Sequence, residues 1–170
     1  MLQVDLRELT RGPVETIGEI AESDPRLRDL DVALSGPVRV RGRLHAAGEG
    51  RFYWDARLET RVQGECRRCL EPVAVEVMAP IRALFVQGPE GEDDPEAYPI
   101  PEDATEIDLV PAVREELILG APHFVQCRED CGGLCPQCGK NLNAGPCDCT
   151  PPADPRWTGL AAPKRKQDER

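Results

Sequence analysis

Aromatic side chains are scarce: three Phe, two Trp and two Tyr in 170 residues. Any core must therefore be built mainly from Val, Leu, Ile and Ala. Histidine is scarcer still. His45 and His123 each stand apart in sequence from any plausible nucleophile, so both read as a strand residue and a loop residue rather than as catalysts. The chain contains no G-x-S-x-G elbow, phosphate loop, H-E-x-x-H helix or dinucleotide fingerprint. No enzyme class is supported, and the expectation is a non-enzymatic protein. No stretch approaches ~18 consecutive apolar residues, and MLQVDLRELTRG lacks the apolar segment of a secretory signal. A cytoplasmic protein without membrane contact is expected. A chain-wide basic footprint is also absent: the net charge is -10, so any nucleic-acid surface must be local.

What is present is alternation. In Val38-Arg39-Val40-Arg41-Gly42-Arg43-Leu44-His45, Val38, Val40 and Leu44 face one way and the polar residues the other. Gly48-Glu49-Gly50 turns the chain, and alternation resumes from Arg51 to Val62, with Phe52, Trp54, Ala56, Leu58 and Val62 on the apolar face. The two runs predict an antiparallel hairpin. Val73, Val75 and Val77 begin a third strand, which Ile81, Ala83 and Phe85 extend or follow past Pro80. Upstream, Val4 to Leu9 reads as a strand or a helical turn, and Leu30 to Leu34 as a short strand.

Residues 88–104, GPEGEDDPEAYPIPEDA, are acidic and rich in Pro and Gly, and predict a solvated flexible loop with no part in the core. A helix is expected next. Asp108 can cap it, Pro111 fits its first turn, Leu109, Val113, Leu117 and Ile118 form its apolar stripe, and Gly120-Ala121-Pro122 ends it. The fold expected is thus α+β and β-rich: a small antiparallel sheet or barrel, one main helix, and a cysteine-rich zinc-binding C-terminal segment. Residues 1–87 form the β region, 88–104 the acidic loop, and 105–160 the helix and cysteine segment, packed with the β region as one domain. Trp157 and Leu160 could dock on that body, and 161–170 form a disordered basic tail.

Six of eight cysteines crowd into CREDCGGLCPQCGKNLNAGPCDC, residues 127–149, and the other two lie in ECRRCLEPV. The spacing is Cys66-x2-Cys69, then Cys127-x3-Cys131-x3-Cys135-x2-Cys138-x8-Cys147-x-Cys149. In a reducing cytosol such clusters are metal ligands more often than disulfides. A C-x2-C turn brings two sulfurs to one ion, and two such pairs make a closed tetrahedral thiolate site suited to Zn²⁺. The favoured partition places Cys135, Cys138, Cys147 and Cys149 on one ion and Cys66, Cys69, Cys127 and Cys131 on a second. A rival joins Cys66 and Cys69 to Cys135 and Cys138. One or two zinc ions are expected, and closed sites of this kind contribute folding free energy rather than catalysis. An iron–sulfur cluster or a redox dithiol is the alternative chemistry.

Residues 38–68 hold eight Arg against four acids, a local basic excess in an acidic chain. Arg39, Arg41, Arg43, Arg51, Arg57 and Arg61 fall on the polar strand faces with Tyr53 among them, a candidate RNA-contact surface. The ordinary alternative is cross-strand pairing of Arg with Asp and Glu.

Together ECRRCLEPV, IDLVPAVREELILGAPHFVQC, CGGLCPQCGKNLNAGPCDC and DPRWTGL closely resemble, in order over roughly residues 30–160, the YceD-like family of bacteria and plastids. That resemblance implies a non-enzymatic role in accumulation of the large-subunit ribosomal RNA, through synthesis, processing or stability of 23S rRNA during subunit assembly. It carries the family's cysteine pattern onto all eight cysteines. Some members keep fewer, which suits a metal that braces the fold. The partner implied is 23S rRNA or a large-subunit assembly intermediate. A competing reading is an adaptor whose acidic loop docks a basic ribosomal protein.

Overall fold

The structure is a computed structural model and describes residues 2–150 and Arg156. Trp157, Leu160 and the tail 161–170 lie outside the described residues. The elements run β1 (Gln3–Asp5), α1 (Leu6–Leu9), β2 (Val14–Ile20), β3 (Val38–Ala46), β4 (Arg51–Glu65), β5 (Pro72–Gln87), α2 (Pro89–Asp93), β6 (Ala97–Ile100), β7 (Glu106–Asp108) and α3 (Val110–Gly120). Two short 3-10 turns, Pro25–Leu27 and Leu142–Ala144, complete the set.

Five strands form one open sheet in the order β2-β3-β4-β5-β6, and β1 pairs with β7 in a separate two-stranded ribbon. The β3–β4 hairpin is in register from Arg39 opposite Glu59 to Ala46 opposite Phe52. Its alternation places Val38, Val40, Leu44, Phe52, Trp54, Ala56, Leu58 and Val62 on one buried face. Val77, Ala79, Ile81, Ala83 and Phe85 continue that face on β5. α3 covers it, with Val113 and Leu117 buried and Gly120 brought close to Ala79 and Val77.

β5 crosses Pro80 without a break. Proline removes a ladder donor and is tolerated where the strand has a free edge. β6 pairs only with Leu84 to Gln87, so Pro80 has a strand on one side alone. At Gly42, opposite Ala56, any Cβ would collide with Ala56 and with the backbone of Asp55, so the hairpin needs glycine there.

Several expectations need correction. The acidic stretch contains α2 and β6, the latter parallel to β5. Ile100 is buried in the main core, and Tyr98 packs on Phe85 and donates to Glu115 at 2.6 Å. Gln87 Nε2 also donates to the carbonyls of Glu102 and Ala104. Two apolar side chains and a free sheet edge suffice to order a segment whose composition is mostly acidic. Ile118 is largely exposed, while Val110 and Ala112 are buried, so the inward stripe of α3 is rotated from the expected one. The Asp108 carboxylate does accept from the Val110 N–H. Leu30 to Leu34 forms no strand: Leu34 makes one isolated bridge to Val62. The sheet's first strand is instead β2.

Candidate metal centres

The cysteines gather into two quartets: Cys66, Cys69, Cys127 and Cys131, and Cys135, Cys138, Cys147 and Cys149. Within each, the ligating sulfurs lie within 4.8 Å of one another. The pairs Cys66–Cys69 and Cys135–Cys138 thus fall in different quartets. Sγ–Sγ separations are 3.8 Å for Cys66–Cys131 and 3.6 Å for Cys69–Cys127. These far exceed the ~2.05 Å of a disulfide. They approach the edge of about 3.8 Å expected for a tetrahedron with metal–sulfur bonds of ~2.3 Å.

The first quartet joins distant parts of the chain. Cys66 and Cys69 follow the end of β4, while Cys127 and Cys131 follow α3. A parallel bridge between Cys66 and Val125 aligns the two segments, and the Arg67 N–H donates to the Val125 carbonyl at 2.9 Å. Three of its cysteines are buried and pack with Val73 and Leu134. The second quartet is local and more open, with Cys135 buried, Cys147 and Cys149 half-buried and Cys138 exposed.

Each C-x2-C pair sits on the same backbone turn. The Cys66 N–H donates to the Glu71 carbonyl and the Leu70 N–H returns to the Cys66 carbonyl; Cys135, Lys140 and Gly139 repeat the pattern. Both turns need a left-handed residue after the second cysteine: Gly139 at φ 71° and Leu70 at φ 60°. Leu70 alone among the described non-glycine residues adopts positive φ. That conformation costs an L-residue roughly 1–2 kcal/mol.

The thiols are unequal. The Cys127 N–H, with those of Arg68 and Cys69, holds Cys66 down at about 6 against the opposing effect of burial. The N–H groups of Cys138 and Gln137 and the Cys147 side chain hold Cys135 down at about 6. The Cys131 sulfur, then burial, pushes Cys127 up to about 12, and the Cys138 sulfur, then burial, pushes Cys149 up to about 12. Once some thiols in a quartet ionise, the rest resist a further negative charge. A divalent cation among them reverses that resistance and lets all four become thiolates. The donor set fits a soft, four-coordinate metal ion.

Asn143 links the two centres and carries no sequence signal of its own. It sits in the Leu142–Ala144 turn of the second quartet's loop, and its Nδ2 donates to Cys131 Sγ of the first at 3.4 Å. Its Oδ1 accepts from the Gly132 N–H and from Arg128.

The arginine candidates share the outer sheet face, and most are engaged there by carboxylates. Arg39 pairs with Glu19 at 3.0 Å, Arg43 with Glu15 at 2.6 Å, Arg51 with Glu90 at 3.3 Å and Arg61 with Glu76 at 2.8 Å. Tyr53 meets His45 edge-on, with ring centroids 5.6 Å apart. Arg41 and Arg57 stand directly opposite each other in the β3–β4 register.

Residues 54–163 match the family described as Large ribosomal RNA subunit accumulation protein YceD. Uncharacterized proteins of Mycobacterium bovis and of two Mycobacterium tuberculosis strains, CDC 1551 and H37Rv, are each 37% identical over 110 residues. Those alignments cover 57% of this chain and 48% of each relative, so the chain spans about half the length of the curated relatives it matches. No solved structure matches it. No helix among the described residues is long and apolar enough to cross a membrane.

Proposed function

The chain belongs to the YceD family of large ribosomal RNA subunit accumulation proteins, and from that premise we propose that it supports 23S rRNA synthesis, processing or stability by binding, not by catalysis. The match over residues 54–163 carries this reading, because it spans every cysteine of both quartets. We assign zinc to both quartets. Four thiolates fill a tetrahedral ion and leave no position for substrate, so the ions contribute folding free energy. The first would fasten the end of β4 to the segment after α3. The second would shape the loop that carries Asn143.

The proposed partner is 23S rRNA or a cytoplasmic assembly intermediate containing it. The adaptor reading, in which acidic residues 88–104 dock a basic ribosomal protein, draws support from the net charge of -10. Depletion in the native cell tests the function. The expected result is loss of 23S rRNA relative to 16S, restored by the wild-type chain. Unchanged 23S levels after full depletion would overturn it. Elemental analysis of natively purified protein should return two zinc ions per chain, and iron or empty quartets would reject the zinc assignment.

A further inference from the structure

The outer face of the sheet is arranged in rows that run across the strands. One row is Glu15, Arg43 and Asp55; another is Glu19, Arg39 and Glu59. In both, an arginine is flanked by carboxylates. The row between them is Ile17, Arg41, Arg57 and Pro80. Here two arginines stand directly opposite each other in the hairpin register, and the row itself contains no acid. Among the described residues neither Arg41 nor Arg57 forms an ion pair or a side-chain hydrogen bond. Like charges directly opposite on a sheet are destabilising, whereas opposite charges stabilise. The charge compensation used in the adjacent rows is therefore withheld in this one. A surface recess lined by Arg39, Arg41, Arg57 and Glu59 opens at that point.

The geometry points to Arg41 and Arg57 as a clamp for a phosphodiester group of RNA, an inference that rests on the RNA-binding reading above. A guanidinium is a planar fork of donors matched to phosphate oxygens, and an anion between two of them removes their mutual repulsion. The same face carries the His45–Tyr53 aromatic pair. That pair lies four residues along the strand from Arg41 and Arg57, about 13 Å at the strand rise. A phosphate clamp with an aromatic platform further along suits a single strand with unstacked bases. Arg39, Arg43, Arg51 and Arg61, already held by carboxylates, contribute little to it.

The test uses the full, metal-loaded chain and fluorescein-labelled poly(U), with affinity measured across a salt series. Arg41→Gln/Arg57→Gln should bind roughly tenfold more weakly at low salt, and the slope of log affinity against log salt should fall by about 0.7, one single-strand phosphate contact. Arg11→Gln/Arg28→Gln makes the same change in net charge outside the sheet and should leave the slope unchanged. Matching zinc content and thermal melts confirm that the variants fold. Absence of wild-type binding, or equal losses in both double variants, would overturn the clamp. Complementation separates the two claims. If wild type restores 23S rRNA in depleted cells and Arg41→Gln/Arg57→Gln does so equally well, the clamp falls while the family function stands. If depletion leaves 23S unchanged, the function itself falls.

Discussion

Thr16 is a polar residue with only 2% of its surface exposed, and its hydroxyl accepts from the Trp54 indole N–H at 2.9 Å. Trp54 is fully buried, so this bond satisfies the one polar atom of the largest core side chain. Thr16→Val keeps the shape and removes the acceptor. Urea unfolding should show a loss of about 1–3 kcal/mol, the usual cost of leaving a buried donor unpaired. An unchanged midpoint and slope would mean that the indole finds another partner. This pair also explains why β2 is hard to read from sequence. Its inward positions are Val14, Thr16, Gly18 and Ile20, and its outward ones include Ile17, which is 61% exposed. The strand's apolar signal is split between both faces, and the reason for a buried threonine lies on β4. The cysteines are legible for the opposite reason: thiolate spacing is local and chemically specific. Leu70 is not, because a positive-φ leucine announces itself only through the turn it shares with Gly139.

Among elements, β3 and β4 are read correctly because each has one wet and one dry face, which imposes strict alternation. The excursion after β5 is misread because its order rests on a few residues against an acidic background. Ile100, Tyr98 and Gln87 do the anchoring, and the carboxylates remain outside. Ile100→Ala is therefore expected to cost about 2–5 kcal/mol, as for other buried isoleucines. A flexible loop would lose almost nothing. Thermal melting distinguishes the two, and a shift of less than a degree would restore the loop reading. The arginine face was half legible in the same way. Sequence places the six arginines on one side, but only cross-strand register shows that Glu15, Glu19 and Glu76 engage three of them and that Arg41 meets Arg57.

At the scale of the molecule, the two quartets have different duties. The second spans Cys135 to Cys149 and is partly open, whereas the first is mostly buried and joins β4 to the segment after α3. Chelation should release metal in two stages, followed with a colorimetric zinc indicator alongside circular dichroism. The ion of the open Cys135–Cys149 quartet should leave early, without loss of strand signal, and that of the buried quartet later, with unfolding. Cys147→Ser should bind one ion and stay folded, while Cys66→Ser should lose the cooperative transition. Simultaneous release of both ions, with the fold intact, would remove the distinction.

The first quartet also imposes an order on biosynthesis. Cys66 and Cys69 emerge from the ribosome with β4, but their partners arrive only after β5, β6 and α3 have been made. Until then the early half-site is an unlatched pair of thiols, open to the wrong metal or to oxidants. The later-made segment after α3 acts as the latch for the earlier-made end of β4. A nascent chain that stalls within β5 holds its clasp open.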